Sequence, residues 1–534
     1  MAAVYPTYSV EAKLDGSNWT DITGDVIGNI NFKYGILASG PLDRVGDVGE
    51  MTFTLNNTET NTGGVQGYYT PGASVCRSGF DVGLPVRLLM TFDGEEHIKF
   101  YGTIPGNGIT IQPGVLSKRE VAVTVKDWMY QASIHELVSP EFAQDKTITE
   151  IVALILANMS IQPLDTDYRT GTETFGSVFD TVKSTTKAMS EFAKVALSEL
   201  GYIYITRKSG AEVLRVDGRY TRNDEVSSAT TIPIYMMTEA EDYIMTEAGD
   251  YIALSQELAP QFDNSIYDMA TSYGGVLYNR IKAVAYPRIV DAAATTILFS
   301  LNTPVLVPAG ETITFTGRYR DPTGIYANVA GIDMQAPVAT TDYLMFANSD
   351  GTGTNLTANL TVTPTYGTAD VAYSLTNSGA NGYVTKLNAV GKGVYTPDPV
   401  DYVAEDATSI NLVGPQLLTI DQKYQDNPTA ITGVASVVLS QHKDPRMTAD
   451  KAMFYANRNS TLMNAFILFE PGDRVNIIED VTSTNNDYFI NGLEAVIKPG
   501  GLVRFTWYLK DAGFDTFDFG QWDVDNWDAG TWAF

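Results

Sequence analysis

FDTVKSTTKAMSEFAKVALSELGYIYITRKSGAEVLRV, residues 179–216, reads as an amphipathic helix that runs straight into a β-hairpin. Met189, Phe192, Ala193, Ala196, Leu197 and Leu200 recur at i, i+3, i+4, i+7, i+8 and i+11, while Lys187, Ser190, Glu191, Lys194 and Ser198 take the other side. The spacing predicts one buried face and one solvated face. Gly201 follows the last apolar position, where a left-handed residue without a Cβ closes a helix at little cost. Alternating aromatic and branched residues over 202–206 then predict a strand, Arg207-Lys208-Ser209-Gly210 a turn, and 211–216 a return strand centred on Val213 and Leu214.

Upstream, Thr147-Ile148-Thr149-Glu150 forms a capping box. The threonine hydroxyl and the glutamate three residues on each satisfy an orphan N–H, and Ile151, Val152, Ile155, Leu156 and Met159 supply the buried face behind them. Residues 131–290 therefore read as an α+β module. Residues 1–130 read as all-β: 8–14 alternate, Met51, Phe53 and Leu55 alternate with threonines, and 86–92, 98–104 and 120–126 form a meander closed by Trp128. Between them lies a glycine-rich loop, 62–78, with Tyr68 and Tyr69 near its centre; a loop of that length covers something or touches a partner.

Downstream, MTEAEDYI and MTEAGDYI repeat directly over 237–252, too few copies to stack as a solenoid and read here as a local hairpin or lengthened loop. Residues 291–383 contain no Trp or Cys, few charges and many Thr, Ala, Gly and Asn with short alternating runs, the pattern of a small β-sandwich inserted between parts of a larger core. After it, 384–510 combine one helical face (Ala430, Ile431, Val434, Ala435, Val438, Leu439) with a closing β-meander turned at Pro471-Gly472-Asp473 and Pro499-Gly500-Gly501. The end, 511–534, holds six aspartates, no Lys or Arg, and seven Phe or Trp. Phe517, Phe519, Trp522, Trp527 and Trp532 are candidate partner-binding residues there, because rings of this size bury some 150–250 Å² each when docked. Tyr68 and Tyr69 are the other candidates.

Thirty-five basic against 63 acidic side chains leave a net charge of −28, which argues against a surface that grips nucleic acid by neutralising phosphates. The single cysteine, Cys76, excludes an intrachain disulfide framework, and His97, His135 and His442 are too scattered to suggest a metal site or catalytic dyad. No window approaches the roughly 18 apolar residues of a membrane span, and the first residues lack a signal-peptide pattern.

The order of short segments carries a resemblance. WTDITGDV, GEMTFTLNNTETN, YYTPG, GLPVRLLMTFDG, KFYGTI and REVAVTVKDWMYQ, then the helix-hairpin unit, then YVTKLNAVGKGVY, AEDATSINLVGPQLLTID and the Gly-Asp-Arg-Val meander, are similar in order and spacing to the tail-tip (baseplate) hub proteins of siphophages, over roughly 1–290 and 384–510. The resemblance implies tail-tube-like β-barrel hub domains, giving a β-rich α+β multidomain chain. It also implies a homotrimer at the distal end of the tail, made in the host cytoplasm. Its partners would be the distal tail protein, the tape measure protein, and receptor-binding or fibre proteins. The host surface would lie nearby, and phage DNA would meet it only in transit.

No His-Glu-x-x-His, Gly-x-Ser-x-Gly, Walker or Rossmann pattern occurs, so no catalytic residue, metal ligand or cofactor is expected. Two alternatives compete with a structural role. One is a carbohydrate-binding adhesin acting through the sandwich or the aromatic end. The other is a cell-wall hydrolase, whose chemistry needs only two well-placed carboxylates.

Overall fold

In Asp47–Asn56 every second residue, Gly49, Met51, Phe53 and Leu55, is buried while the residues between are half-buried, and Val121, Val123 and Val125 do the same in Glu120–Lys126. Such a pattern leaves a strand one face to bury, and the chain buries it by building a sheet of 14 strands. The computed structural model describes residues 3–514 except 115–117, 138–139, 141, 170, 172, 181, 183–184, 208–209, 220, 223–230, 236–252, 258 and 264, with backbone alone at 231–235 and 253–257. The repeat at 237–252 and the candidates Phe517, Phe519, Trp522, Trp527 and Trp532 lie outside the described residues.

The sheet runs Asp268–Tyr273, Met447–Tyr455, Leu502–Asp511, Thr484–Lys498, Val26–Gly35, Asp47–Asn56, Glu120–Lys126, Glu95–Thr103, Pro85–Phe92, Thr7–Ala12, Thr20–Asp21. Its middle is the seam between the two ends of the chain. Val26–Gly35 pairs with Asp47–Asn56 on one side and with Thr484–Lys498 on the other, placing Ile30 opposite Ile497, Tyr34 opposite Leu493 and Gly35 opposite Gly492. One apolar core follows the sheet across that seam, from Val10, Phe53 and Phe100 to Phe466, Phe505 and Trp507. Strands from residues 7–126 and from 447–511, separate in sequence, thus share one sheet and one core.

The α+β part contains the helices Met129–Ile134, Ile148–Ala157 and Ala188–Glu199 and a three-stranded sheet in which Val213–Asp217 pairs antiparallel with Tyr202–Thr206 and parallel with Asp165–Arg169. The capping box forms as the sequence predicts: Glu150 N donates to Thr147 Oγ1 and Thr147 N donates to the Glu150 carboxylate. Two expectations are corrected. The left-handed residue closing Ala188–Glu199 is Leu200, at φ 58°, held there by Arg44, whose guanidinium donates to the Leu200 carbonyl. Gly201 is required for space instead, since a Cβ there would lie 2.4 Å from the Asp217 carbonyl oxygen and 2.9 Å from Ile148 Cδ1.

Nor is the polar face of that helix wet throughout: Ser190 is exposed and Lys187 and Lys194 are half-buried, but the rest is covered. Glu191 and Ser198 are fully buried, because the chain around Leu417–Gln422 covers them: Tyr424 donates its hydroxyl to Glu191 and its backbone N–H to Ser198 Oγ, and Gln422 Nε2 donates to the Ser198 carbonyl. Lys194 completes the site by pairing with Glu191. A distant segment, invisible in local periodicity, turned a solvated stripe into a second interface.

In the Thr-rich part, the long strand Gly382–Tyr395 pairs along its length with Ile289–Val290, Thr296–Ser300, Val305–Val307, Val329–Ile332 and Tyr343–Phe346, and a second sheet of Thr312–Arg318, Asp370–Asn377 and Leu360–Tyr366 completes its own core. That core draws on Val384, Leu387, Ala389 and Tyr395 as well as on residues before 383. A further small sheet, Val400–Glu405, Arg280–Ala285 and Leu417–Gln422, lies under the helix Pro428–His442, which begins with proline in its first turn and Asn427 capping Thr429 N.

Candidate functional site

Every residue of Tyr202–Thr206 and Val213–Asp217 is buried, so this hairpin is covered on both faces. One face, Ile203, Ile205, Leu214 and Val216, joins the core of the three helices. The period of two sends Tyr202, Tyr204, Arg215 and Asp217 to the opposite face, against the large sheet, where Tyr202 and Tyr204 pack on Ile36. Charged groups buried there must find partners, and they do. Tyr204 donates to Asp217 Oδ2 at 2.6 Å and Arg215 Nε to Asp217 Oδ1 at 2.9 Å. Arg222 donates to Asn491 Oδ1 at 3.0 Å and lies 4.0 Å from the centre of the Tyr202 ring. Burial drives the Tyr204 phenol well above its ordinary range, so it is a neutral donor.

A second knot lies beyond the other end of the hairpin. The Arg207 guanidinium sits 3.7 Å over the centre of the Tyr34 ring and 4.9 Å from that of Phe100, with Glu212 Oε2 3.6 Å from its Nη2. Tyr34 donates to Glu470 Oε2 at 2.7 Å, and Lys99 Nζ donates to Glu470 Oε1 at 2.5 Å and to the Ile467 carbonyl at 3.1 Å. Lys99 has no exposed surface; burial lowers its ammonium pKa, and the Glu470 charge opposes that shift. Asp127 Oδ1 accepts from Gly49 N and Met129 N. Tyr34, Lys99 and Glu470 around Arg207, and Asn491 at Arg222, thereby form two buried clusters that tie the hairpin and the segment after it to both ends of the chain.

This arrangement is a clamp by its chemistry: enclosed, charge-assisted hydrogen bonds that fix the relative position of three segments. Among the described residues no group of three or more His, Cys, Asp or Glu side chains is placed to hold a metal ion, and no helix is long and apolar enough to cross a membrane.

Of the residues singled out from sequence, Tyr69 is fully buried. Its hydroxyl donates to Asp25 Oδ2 at 2.6 Å and accepts from Arg77 Nη1 at 2.6 Å, while Thr62 also donates to Asp25. These bonds fasten the 62–78 loop onto the sheet. Tyr68 stands edge-on to Tyr69, 5.2 Å between ring centres, and is half-buried, so of the two it is the one that presents surface. The network itself was missed. Lys99 offered the clearest signal, a lysine between Ile98 and Phe100. Its side chain turns inward because a β-bulge leaves it unpaired between the Leu88–Phe100 and Leu89–Ile98 pairs.

No family model and no curated protein sequence matches the chain. Among solved structures it is similar to the tail protein from Neisseria meningitidis MC58, at 9% identity and a TM-score of 0.45 over 95% of this chain and 97% of that one. It is similar also to the 43 kDa tail protein of prophage MuSo2 from Shewanella oneidensis, at 8% identity and a TM-score of 0.45 over 95% and 99%. A prophage tail protein from Listeria monocytogenes EGD-e gives 9% identity and a TM-score of 0.39 over 94% of each chain. These structural neighbours are tail proteins.

Proposed function

We propose that this chain is a structural subunit of a phage tail: a hub at the distal end of the tail tube, three copies forming a ring. The observation that carries this reading is the continuous sheet in which the first 130 residues and residues 447–511 share one core and are clamped by the hairpin. A subunit of this kind offers two wall segments as one rigid body. Three copies offer six around one axis. Ring closure also covers the sheet's terminal strand Asp268–Tyr273, whose outer edge carries no partner strand among the described residues.

In this role the protein docks the distal tail and tape measure proteins, carries receptor-binding parts outward through the Thr-rich part, and opens for DNA. The net charge of −28 suits a passage that DNA must not adhere to. Its work is mechanical and needs no catalytic group. Gold-labelled antibody raised against the purified chain should decorate intact virions at one end of the tail only. Label spread along the tube, or confined to the capsid, would overturn the proposal.

A further inference from the structure

Asp127 and Glu212 are 2% and 1% exposed, and each keeps one carboxylate oxygen, Oδ2 and Oε2, with no hydrogen-bond partner. Both line one cavity of about 180 Å³, walled also by Tyr101, Trp128, Gln131 and Gln162. The charges facing the pair can be counted element by element. From Glu120–Lys126 comes Lys126, which is bound to Glu50. From Glu95–Thr103 come Tyr101 and Lys99, the latter bound to Glu470. From Val26–Gly35 comes Tyr34, whose phenol burial keeps neutral. Arg207 is the cation left among the described residues; its guanidinium lies over the Tyr34 and Phe100 rings, with Nη2 3.6 Å from Glu212 Oε2, beyond hydrogen-bond distance.

Two buried carboxylates facing one guanidinium leave an excess negative charge that burial penalises. A proton is the smallest group that removes it, and it also turns an orphan oxygen into one that need not be solvated as an anion. We infer that Asp127 and Glu212 together retain one proton at neutral pH, making the joint between the hairpin and the large sheet a proton-dependent one. Burial, reinforced at Glu212 by the Asp127 charge, pushes Glu212 up to about 8, and burial pushes Asp127 up to about 6. Both folded values lie above those of the unfolded chain. The stabilisation is therefore fully present below the ordinary carboxyl range and is lost as pH rises through about 6 and then about 8. The joint is tight in acid and at neutrality and loosens in alkali.

Infrared difference spectroscopy on the full chain tests this directly. At neutral pH the wild type should show the carbonyl stretch of a buried protonated carboxyl, fading towards about pH 9, and Glu212→Gln should lack it. The melting temperature of the wild type should fall by several degrees more than that of Glu212→Gln over the same pH range. Absence of the band in the wild type at neutrality overturns the inference, as does an identical pH slope in the two proteins. Should Glu212→Gln not fold, Asp127→Asn removes the same excess charge and must flatten the slope, and the wild-type band decides independently of either variant.

Discussion

Gly35→Ala should destabilise the protein by about 3 kcal/mol, the sum of a left-handed backbone and an overpacked contact. Gly35 has φ 88°, and a Cβ there would stand 2.6 Å from the Asn491 carbonyl oxygen, 2.8 Å from Gly492 Cα and 3.0 Å from Pro471 Cγ. Those neighbours all belong to the opposite end of the chain. Backbone atoms at such distances cannot step aside singly, so the substitution must open the seam or strain it. Gly94→Ala supplies the control. It has φ 87° and sits in a turn with no atom within 4 Å of the added Cβ, so it should lose only the conformational part, about 1 kcal/mol. Denaturant midpoints at constant m-value measure the difference. Equal losses at the two glycines would mean that the seam does not form as described.

The second large effect is expected at the Lys99–Glu470 pair. Lys99→Met removes one partner of a fully buried ion pair and leaves the Glu470 carboxylate in the core with the Tyr34 hydroxyl but without a cation, a change that costs about 3–5 kcal/mol. Glu470→Gln alone strands the ammonium and should cost a similar amount. Combined, the two substitutions leave no unpaired charge, so the double variant should be more stable than the sum of the single losses by at least about 2 kcal/mol. Additive losses would show that the two residues, one from each end of the chain, are not partners in solution.

How far the sequence could be read follows from the range of each interaction. The 147–150 capping box, the strands around Met51–Leu55 and 120–126, and the hairpin after Gly201 rest on contacts within a few residues, and local pattern reports them. The pairing of Val26–Gly35 with Thr484–Lys498 joins segments more than 400 residues apart and leaves no trace in either strand's own alternation, which would suit a sheet edge as well as a sheet centre. Glu191 and Ser198 read as solvated because the Tyr424 segment that covers them is also remote. Arg207, Arg215, Asp217 and Glu212 sit in a short hairpin whose charged residues normally mark the wet face; here a second layer lies over that face, and charge pairing replaces water. The charged network, the least local feature of the fold, was accordingly the least legible.

The central claim is that three copies of this fused two-part wall close into a ring, and the solution mass of the purified full chain measures it most directly. Light scattering over a dilution series should give a mass near three times 58.1 kDa that persists on dilution. A mass of 58.1 kDa at every concentration would contradict the ring.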